Sequence, residues 1–187
     1  MELEIQLKQR EDLAQGKTNA ARREGLIPCV VYAKGQVGQN CFVQKVEVET
    51  VLRKIQKGFL PTTRFVLKKE DGSTVTAIVK DIQYNVVNYQ IIHIDFLELI
   101  EDRQVNVKVP LCCLRETEAA GVKAGGFLRQ LMKHIKVRCL PKDMPTHFEI
   151  DVKDLQLRHS KRVADVAVPQ EVRLLAKPKD VVVTCIK

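Results

Sequence analysis

The sequence predicts a mainly β protein, and three observations carry that expectation. Aromatic residues are only 5% of the chain and Trp is absent, while apolar residues reach 45%. A core so poor in rings must be built from Val, Ile and Leu, and the β-branched members suit a pleated sheet better than a helix. Short apolar runs also recur along the whole chain, separated by turns marked with Gly and Pro, which is the punctuation of all-β architectures.

Taken in order, Leu3, Ile5 and Leu7 alternate with polar residues, so 2–8 reads as a half-buried strand. Gln15 to Gly25 is polar and basic, and fits either a short helix or an ordered loop. Ile27 to Tyr32 is a strand, with Pro28 at its start or on an edge. Residues 34–39 make a hairpin connection to a strand at 40–46. Val48, Val51, Leu52 and Ile55 repeat at helical spacing, and Lys57-Gly58 supplies a stop. Strands at 62–68 and 74–82 are joined across Glu70-Asp71-Gly72, a strong hairpin signal. Tyr84 to Tyr89 is an irregular polar stretch, and Gln90 to Phe96 is a strand again.

Charge density rises from Glu98 to Arg103, which places a boundary between a first domain at 1–98 and a second mainly-β domain at 99–187. Further strands are expected at 104–111, 127–132, 135–140, 147–152, 161–168 and 180–186, with one helical turn in Asp151 to Leu155. Gly121-Val122-Lys123-Ala124-Gly125-Gly126 reads as a pair of β-turns, and Lys133-His134 as the turn of a hairpin between 127–132 and 135–140. Lys123, Arg129, Lys133, Lys136 and Arg138 fall within sixteen residues that hold no Asp or Glu. That stretch is either a solvated face that keeps the sheet soluble or a nonspecific, salt-sensitive contact with RNA or another component of a larger assembly.

The net charge of +8 favours a polyanionic partner, because Lys and Arg release counterions from phosphate. The charge is uneven: residues 1–98 carry 14 Lys and Arg against 12 Asp and Glu, whereas 99–187 carry 17 against 11. By electrostatics alone the second half is the stronger anion binder. Six cysteines, at 29, 41, 112, 113, 139 and 185, form no C-x-x-C pair, which argues against a metal site and for buried thiols in a reducing cytosol. The N-terminal residues lack the apolar run of a signal peptide, and no stretch approaches a membrane span, so a soluble cytoplasmic protein is expected. No G-x-S-x-G, P-loop or H-E-x-x-H is present, and His93, His134, His147 and His159 are scattered. These features point to a binding protein without cofactor and away from an enzyme.

Three ordered motifs carry a family resemblance. Gly16-Lys17 followed by Ala21-Arg22-Arg23-Glu24-Gly25-Leu26-Ile27-Pro28-Cys29-Val30-Val31-Tyr32 is the first. Asp81-Ile82-Gln83 with His93-Ile94-Asp95-Phe96 is the second. Gly121 to Gly126, Leu140 to Pro145 and Glu149-Ile150-Asp151-Val152 make the third. Together they resemble the ribosomal protein L-twenty-five family, also called general stress protein CTC, in its long two-domain form. The resemblance implies a small N-terminal β-barrel with short helices that binds 5S ribosomal RNA in the large ribosomal subunit through a widened minor groove, followed by a second mainly-β domain.

The resemblance also assigns RNA contacts to Arg10, Arg23, Tyr32, His93 and Asp95, with Lys17 and Arg22 as lesser candidates. Arginine offers a planar fork of donors for phosphate or a guanine edge. A tyrosine hydroxyl can bond phosphate or a ribose 2′-hydroxyl. His93 and Asp95 lie two apart in a strand and share a face. Asp95 cannot attract phosphate, so it must accept from a 2′-hydroxyl or a base amino group and serve register. From residue type alone, Arg10 and Arg23 are equally ordinary solvated charges, Tyr32 a core ring with a surface hydroxyl, and His93 with Asp95 a surface ion pair. In this chain the segment from Gln83 to His93 departs from the family's Arg- and Pro-rich character, carrying Asn85, Asn88 and Tyr89 instead. Two alternatives remain from the sequence: a stress-related RNA-binding protein acting off the ribosome, and a non-catalytic protein-interaction module.

Overall fold

Alternating Val, Ile and Leu side chains build six strands of the first half into a closed barrel: β1 (Leu3–Gln9), β2 (Leu26–Tyr32), β3 (Gln39–Gln44), β4 (Arg64–Lys68), β5 (Thr74–Tyr84) and β6 (Ile91–Glu98). A computed structural model describes residues 3–10, 15–33 and 35–187, the side chains of 15–17 excepted. Two compact units emerge, Met1–Arg103 and Gln104–Lys187.

Around the barrel the order is β1-β3-β2-β6-β5-β4, and parallel pairing of β1 with β4 closes it. Closure gives every strand two neighbours and removes the open edge on which a small Val/Ile-rich sheet would aggregate. Inward positions are filled by Ile5, Leu7, Ile27, Val31, Val43, Leu67, Val79 and Ile94. Phe65 and Phe96 meet edge to face inside, with centroids 6.3 Å apart. Pro28 is accommodated because pairing with β6 begins only at Cys29.

The stretch that fits either helix or loop by composition is a helix, α1 (Gln15–Arg23), packed on β2. Arg22 and Arg23 occupy its last turn, where cations complement the helix dipole. Gly25 then turns the chain at φ +81°, a left-handed position that favours glycine. α2 (Lys45–Lys54) buries Val48 and Val51 in the barrel core, as the helical spacing predicts. The Glu70-Asp71-Gly72 hairpin forms as expected, with Gly72 at φ +79° and Lys68 opposite Thr74.

The second unit holds β7 (Val105–Leu114), α3 (Ala120–Lys123), β8 (Phe127–Gln130), β9 (His134–Cys139), β10 (Phe148–Asp151), β11 (Ser160–Arg162), β12 (Arg173–Leu174) and β13 (Val181–Ile186). They form a four-stranded sheet β10-β7-β9-β12 and a three-stranded sheet β11-β13-β8. Val105, Val107, Val109, Ile135, Val137, Phe148, Ile150 and Val182 supply its buried apolar side chains.

Three local expectations for this unit are corrected. The hairpin between 127–132 and 135–140 does not form: β8 pairs with β13, and β9 with β7 and β12. The chain changes sheets at 131–133, where the amides of Leu131 and Met132 donate to Val182 O and the Gln130 amide group donates to Leu111 O. The expected β-turn pair at Gly121 to Gly126 begins instead as the short helix α3. The strand expected at 161–168 stops at Arg162, because a 3₁₀ turn follows whose Asp165 carboxylate accepts from the Arg162 amide at 2.8 Å. The turn expected within Asp151 to Leu155 is present, as a single hydrogen-bonded turn closed by Leu155 N on Val152 O.

Gly121 explains why this segment is tight. A Cβ there would come within 2.4 Å of Cys185 Sγ and 3.0 Å of the Gln156–Leu157 backbone. Gly121→Ala should therefore destabilise the second unit by about 1–3 kcal/mol through overpacking. Faster hydrogen exchange at β13 amides, with β6 amides unchanged, is the expected reading.

Candidate nucleic-acid interface

Strand registers set out a continuous outer face across the barrel. Phe42 of β3 lies opposite both Lys8 of β1 and Pro28 of β2, Val30 lies beside Asp95 of β6, and Asp95 lies opposite Asp81 of β5. One step along, His93 lies opposite Gln83. The inward neighbours Ile94 and Phe96 hold β6 in phase, each at most 1% exposed.

A β-bulge is what brings β5 into this row. The register passes from Val79 opposite Phe96 to Asp81 opposite Asp95, leaving Lys80 as an extra residue. Without it, period-two alternation would turn Asp81 and Gln83 inward with Val79. With it, Ile82 enters the barrel opposite Ile94 while Asp81 and Gln83 face outward. These two side chains were not singled out from the sequence. Their D-I-Q motif was visible, but the inserted residue that re-aims it was not.

The arginines are held in place. Arg10 follows β1, with its guanidinium 5.3 Å from the Phe42 ring centroid, and donates to Thr18 Oγ1 of α1 at 2.6 Å. Its backbone amide donates to Asn40 O at 3.1 Å. Ring stacking and a buried hydroxyl acceptor thus restrain a flexible side chain before any partner arrives. Arg22 donates from Nε and Nη2 to Ile92 O and from Nη1 to Asn19 Oδ1, tying α1 to β6 just before His93. Arg23, its neighbour, is exposed. The Lys17 side chain lies outside the described residues.

Tyr32, at the end of β2, is half-buried, and its phenol pKa is raised, first by burial and then by the nearby carboxylates of Asp95 and Asp81. His93 Nδ1 lies 2.8 Å from Asp95 Oδ1, yet the nitrogen makes no properly aligned hydrogen bond. Nδ1 is itself buried, so this close contact turned toward Asp95 fixes the ring on the face. Beside it, the stretch from Tyr84 to Tyr89 is more ordered than its composition suggests. Asn85 N donates to Gln90 O, Tyr89 N donates to Asn85 O, and the Asn85 and Asn88 side chains accept from Val87 N and Gln90 N. This leaves Tyr84 and Tyr89 exposed, two rings of a kind on which bases stack.

The structure therefore brings Arg10, Tyr32, His93 and Asp95 onto one curved surface flanked by α1, with donors, acceptors and rings interleaved. Among the described residues no group of three or more His, Cys, Asp or Glu is placed to hold a metal ion. No helix of the described residues is long and apolar enough to cross a membrane.

Comparison with known proteins decides the family. The pattern of the Ribosomal L25p family matches residues 5–96, and that of the C-terminal domain of ribosomal protein TL5 matches residues 104–187. The chain belongs to the ribosomal L25p family. Similar proteins include those named large ribosomal subunit protein bL25 from Chlamydia abortus and Chlamydia caviae. Each is 38% identical over 182 residues, 97% of this chain and 98% of the relative. The protein of the same name from Chlamydia pneumoniae is 35% identical over the same shares.

In an L25p barrel of this geometry, the phenol of Tyr32 reports on the carboxylates beside it. Asp95→Asn should lower the Tyr32 pKa toward the ordinary tyrosine value, although burial keeps it above. The difference in phenolate absorbance between each protein and its Tyr32→Phe counterpart isolates the group. A group whose pKa is raised by folding contributes stability that is present at neutral pH and fades as pH climbs through the tyrosine range. The wild-type barrel should thus lose stability above the ordinary tyrosine value more steeply than Tyr32→Phe.

Proposed function

We propose that this chain is a structural constituent of the large ribosomal subunit that binds 5S ribosomal RNA through the outer face of its first domain. The observation that carries the reading is the alignment of His93, Asp95 and Tyr32 beside a pre-positioned Arg10 on one face of the barrel. In this reading Arg10 and Arg23 contact phosphate or a guanine edge, and Tyr32 and His93 bond ribose or phosphate. Asp95 accepts from a 2′-hydroxyl or base amino group and sets register. Arg22, already spent on Ile92 O, acts by holding α1 against β6, and Lys17 is a supporting cation. The protein works on cytosolic ribosomes without catalysis or cofactor, and its second domain adds a further ribosomal contact.

The proposed RNA-binding domain is residues 1–98 and the second domain is 99–187. Placing the specific site in the less basic half resolves the charge conflict, because a local constellation outweighs net charge in recognition. Residues 1–98, expressed alone, should fold and protect 5S RNA in footprinting. Protection by residues 99–187 alone would refute the division.

Asp95→Ala should weaken 5S binding about tenfold to hundredfold, since a hydrogen bond to a charged group is worth ~1.5–3 kcal/mol. That loss should exceed the repulsion relieved in a screened groove. Tighter binding by the variant would mark Asp95 as a tolerated surface acid. For the whole chain, continued sedimentation with large subunits after a moderate salt wash is the expected result.

A further inference from the structure

The sequence places its basic run in one linear stretch, but folding divides that run and builds a different cluster. Arg129 goes to β8 in the three-stranded sheet, whereas Lys136 and Arg138 go to β9 in the other. There they meet cations from distant parts of the chain. Lys108 of β7 is the direct cross-strand partner of Lys136, and Arg173 of β12 is the direct partner of Arg138. All four share the solvent face, because Val107, Val109, Ile135 and Val137 point the other way and are at most 3% exposed.

We propose that this face of the β7-β9-β12 sheet is a second RNA-binding surface, one that grips the phosphate backbone without reading sequence. The proposal rests on the ribosomal reading above and deepens it by naming the surface and the chemistry of the second contact. Like charges placed directly opposite across strands destabilise a sheet. Here two such pairs lie side by side, and among the described residues none of the four has a carboxylate within ion-pair distance. The acids of the same sheet face are confined to β10, at the far corner beyond β7, and are already engaged. Glu149 lies 3.1 Å from His147, and Asp151 is paired with Arg115. Among the described residues nothing relieves this repulsion, and an external polyanion laid across the face relieves it.

Geometry and composition favour RNA over other anions. Neighbouring strands are about 5 Å apart and alternate residues about 7 Å along a strand, so the four cations form a compact patch able to straddle successive phosphates. Arg138 donates from Nε to Asn106 Oδ1 at 3.0 Å, which holds its guanidinium along the face. The patch has no aromatic or apolar anchor at its centre, only an exposed Leu175 at its rim. Protein interfaces concentrate their energy in such anchors and are depleted in Lys, whereas nucleic-acid interfaces are polar and strongly basic.

The test uses three full-length variants and an RNA duplex of arbitrary sequence. A face variant combines Lys108→Gln, Lys136→Gln, Arg138→Gln and Arg173→Gln. A control variant removes the same charge from exposed positions elsewhere in the unit, by Lys123→Gln, Lys153→Gln, Lys179→Gln and Lys187→Gln. A third, Lys108→Arg with Lys136→Arg, preserves the charge. The face variant should bind the duplex at least tenfold more weakly at low salt. Its slope of log K against log salt should be shallower by about 0.9 for each phosphate that the face no longer neutralises. The charge-preserving variant should keep the wild-type slope, and an unchanged thermal midpoint of the face variant excludes misfolding as the cause. Equal slopes for face and control variants would overturn the proposal in favour of net charge alone. Displacement of the duplex by poly-glutamate as effectively as by competing duplex would overturn it in favour of an acidic polypeptide partner. Protection of 5S RNA by the first unit should be the same in the face variant as in wild type. Should wild type show no preference for 5S over a control RNA, the ribosomal reading fails, while the duplex comparison still decides the face.

Discussion

Everything on the barrel's outer surface depends on the closure of its backbone hydrogen-bond ladder. Once β1 pairs with β4, no strand can slide by one residue without turning its whole apolar set outward. The interior therefore dictates the exterior. Ile94 and Phe96 are buried, so His93 and Asp95 must face out. Val31 and Cys29 are buried, so Val30 and Tyr32 must face out. An outer face built this way is the reverse side of a packed core, and its side chains are set by that core's register.

The extra residue at Lys80 is the departure from strict alternation that brings β5 into the outer row. It costs a local break in the ladder, and in return β5 serves both sides of the wall: Val79 and Ile82 fill the barrel while Asp81 and Gln83 join the outer row. Two carboxylates then stand opposite each other, Asp81 and Asp95, an arrangement that a fold selected for stability alone would avoid. In the proposed reading, donors brought by a ribose or a base edge relieve such a pair, and phosphates relieve the opposed cations of the second unit. The two units thus concentrate opposite kinds of like-charge pairing, acidic in one and basic in the other.

Much of this is legible in the local sequence. Leu3, Ile5 and Leu7 announced β1, the Val48–Ile55 spacing announced α2, and Glu70-Asp71-Gly72 announced the β4–β5 hairpin, because each signal is local. The first two depend on periodicity and the third on a backbone conformation that glycine permits. The expected hairpin between 127–132 and 135–140 failed for the complementary reason. Both halves are extended segments with alternating burial, but nothing in their own residues says which strand each will pair with. Val182 O took the amides that turn the chain from one sheet to the other.

The sequence by itself determined the mainly β character, the helix and hairpin signals, and a set of residues whose types suit RNA. Those properties follow from side-chain shape, alternation and turn chemistry within a few neighbours. Tertiary structure alone decided which of those residues stand together. It set Arg10 over Phe42 and against Thr18, tied Arg22 to Ile92, turned Asp81 and Gln83 outward through one inserted residue, and gathered Lys108 and Arg173 beside Lys136 and Arg138. Strand register is the physical reason. It is fixed by packing between segments remote in sequence, so a constellation drawn from several strands exists only once the core has chosen their alignment.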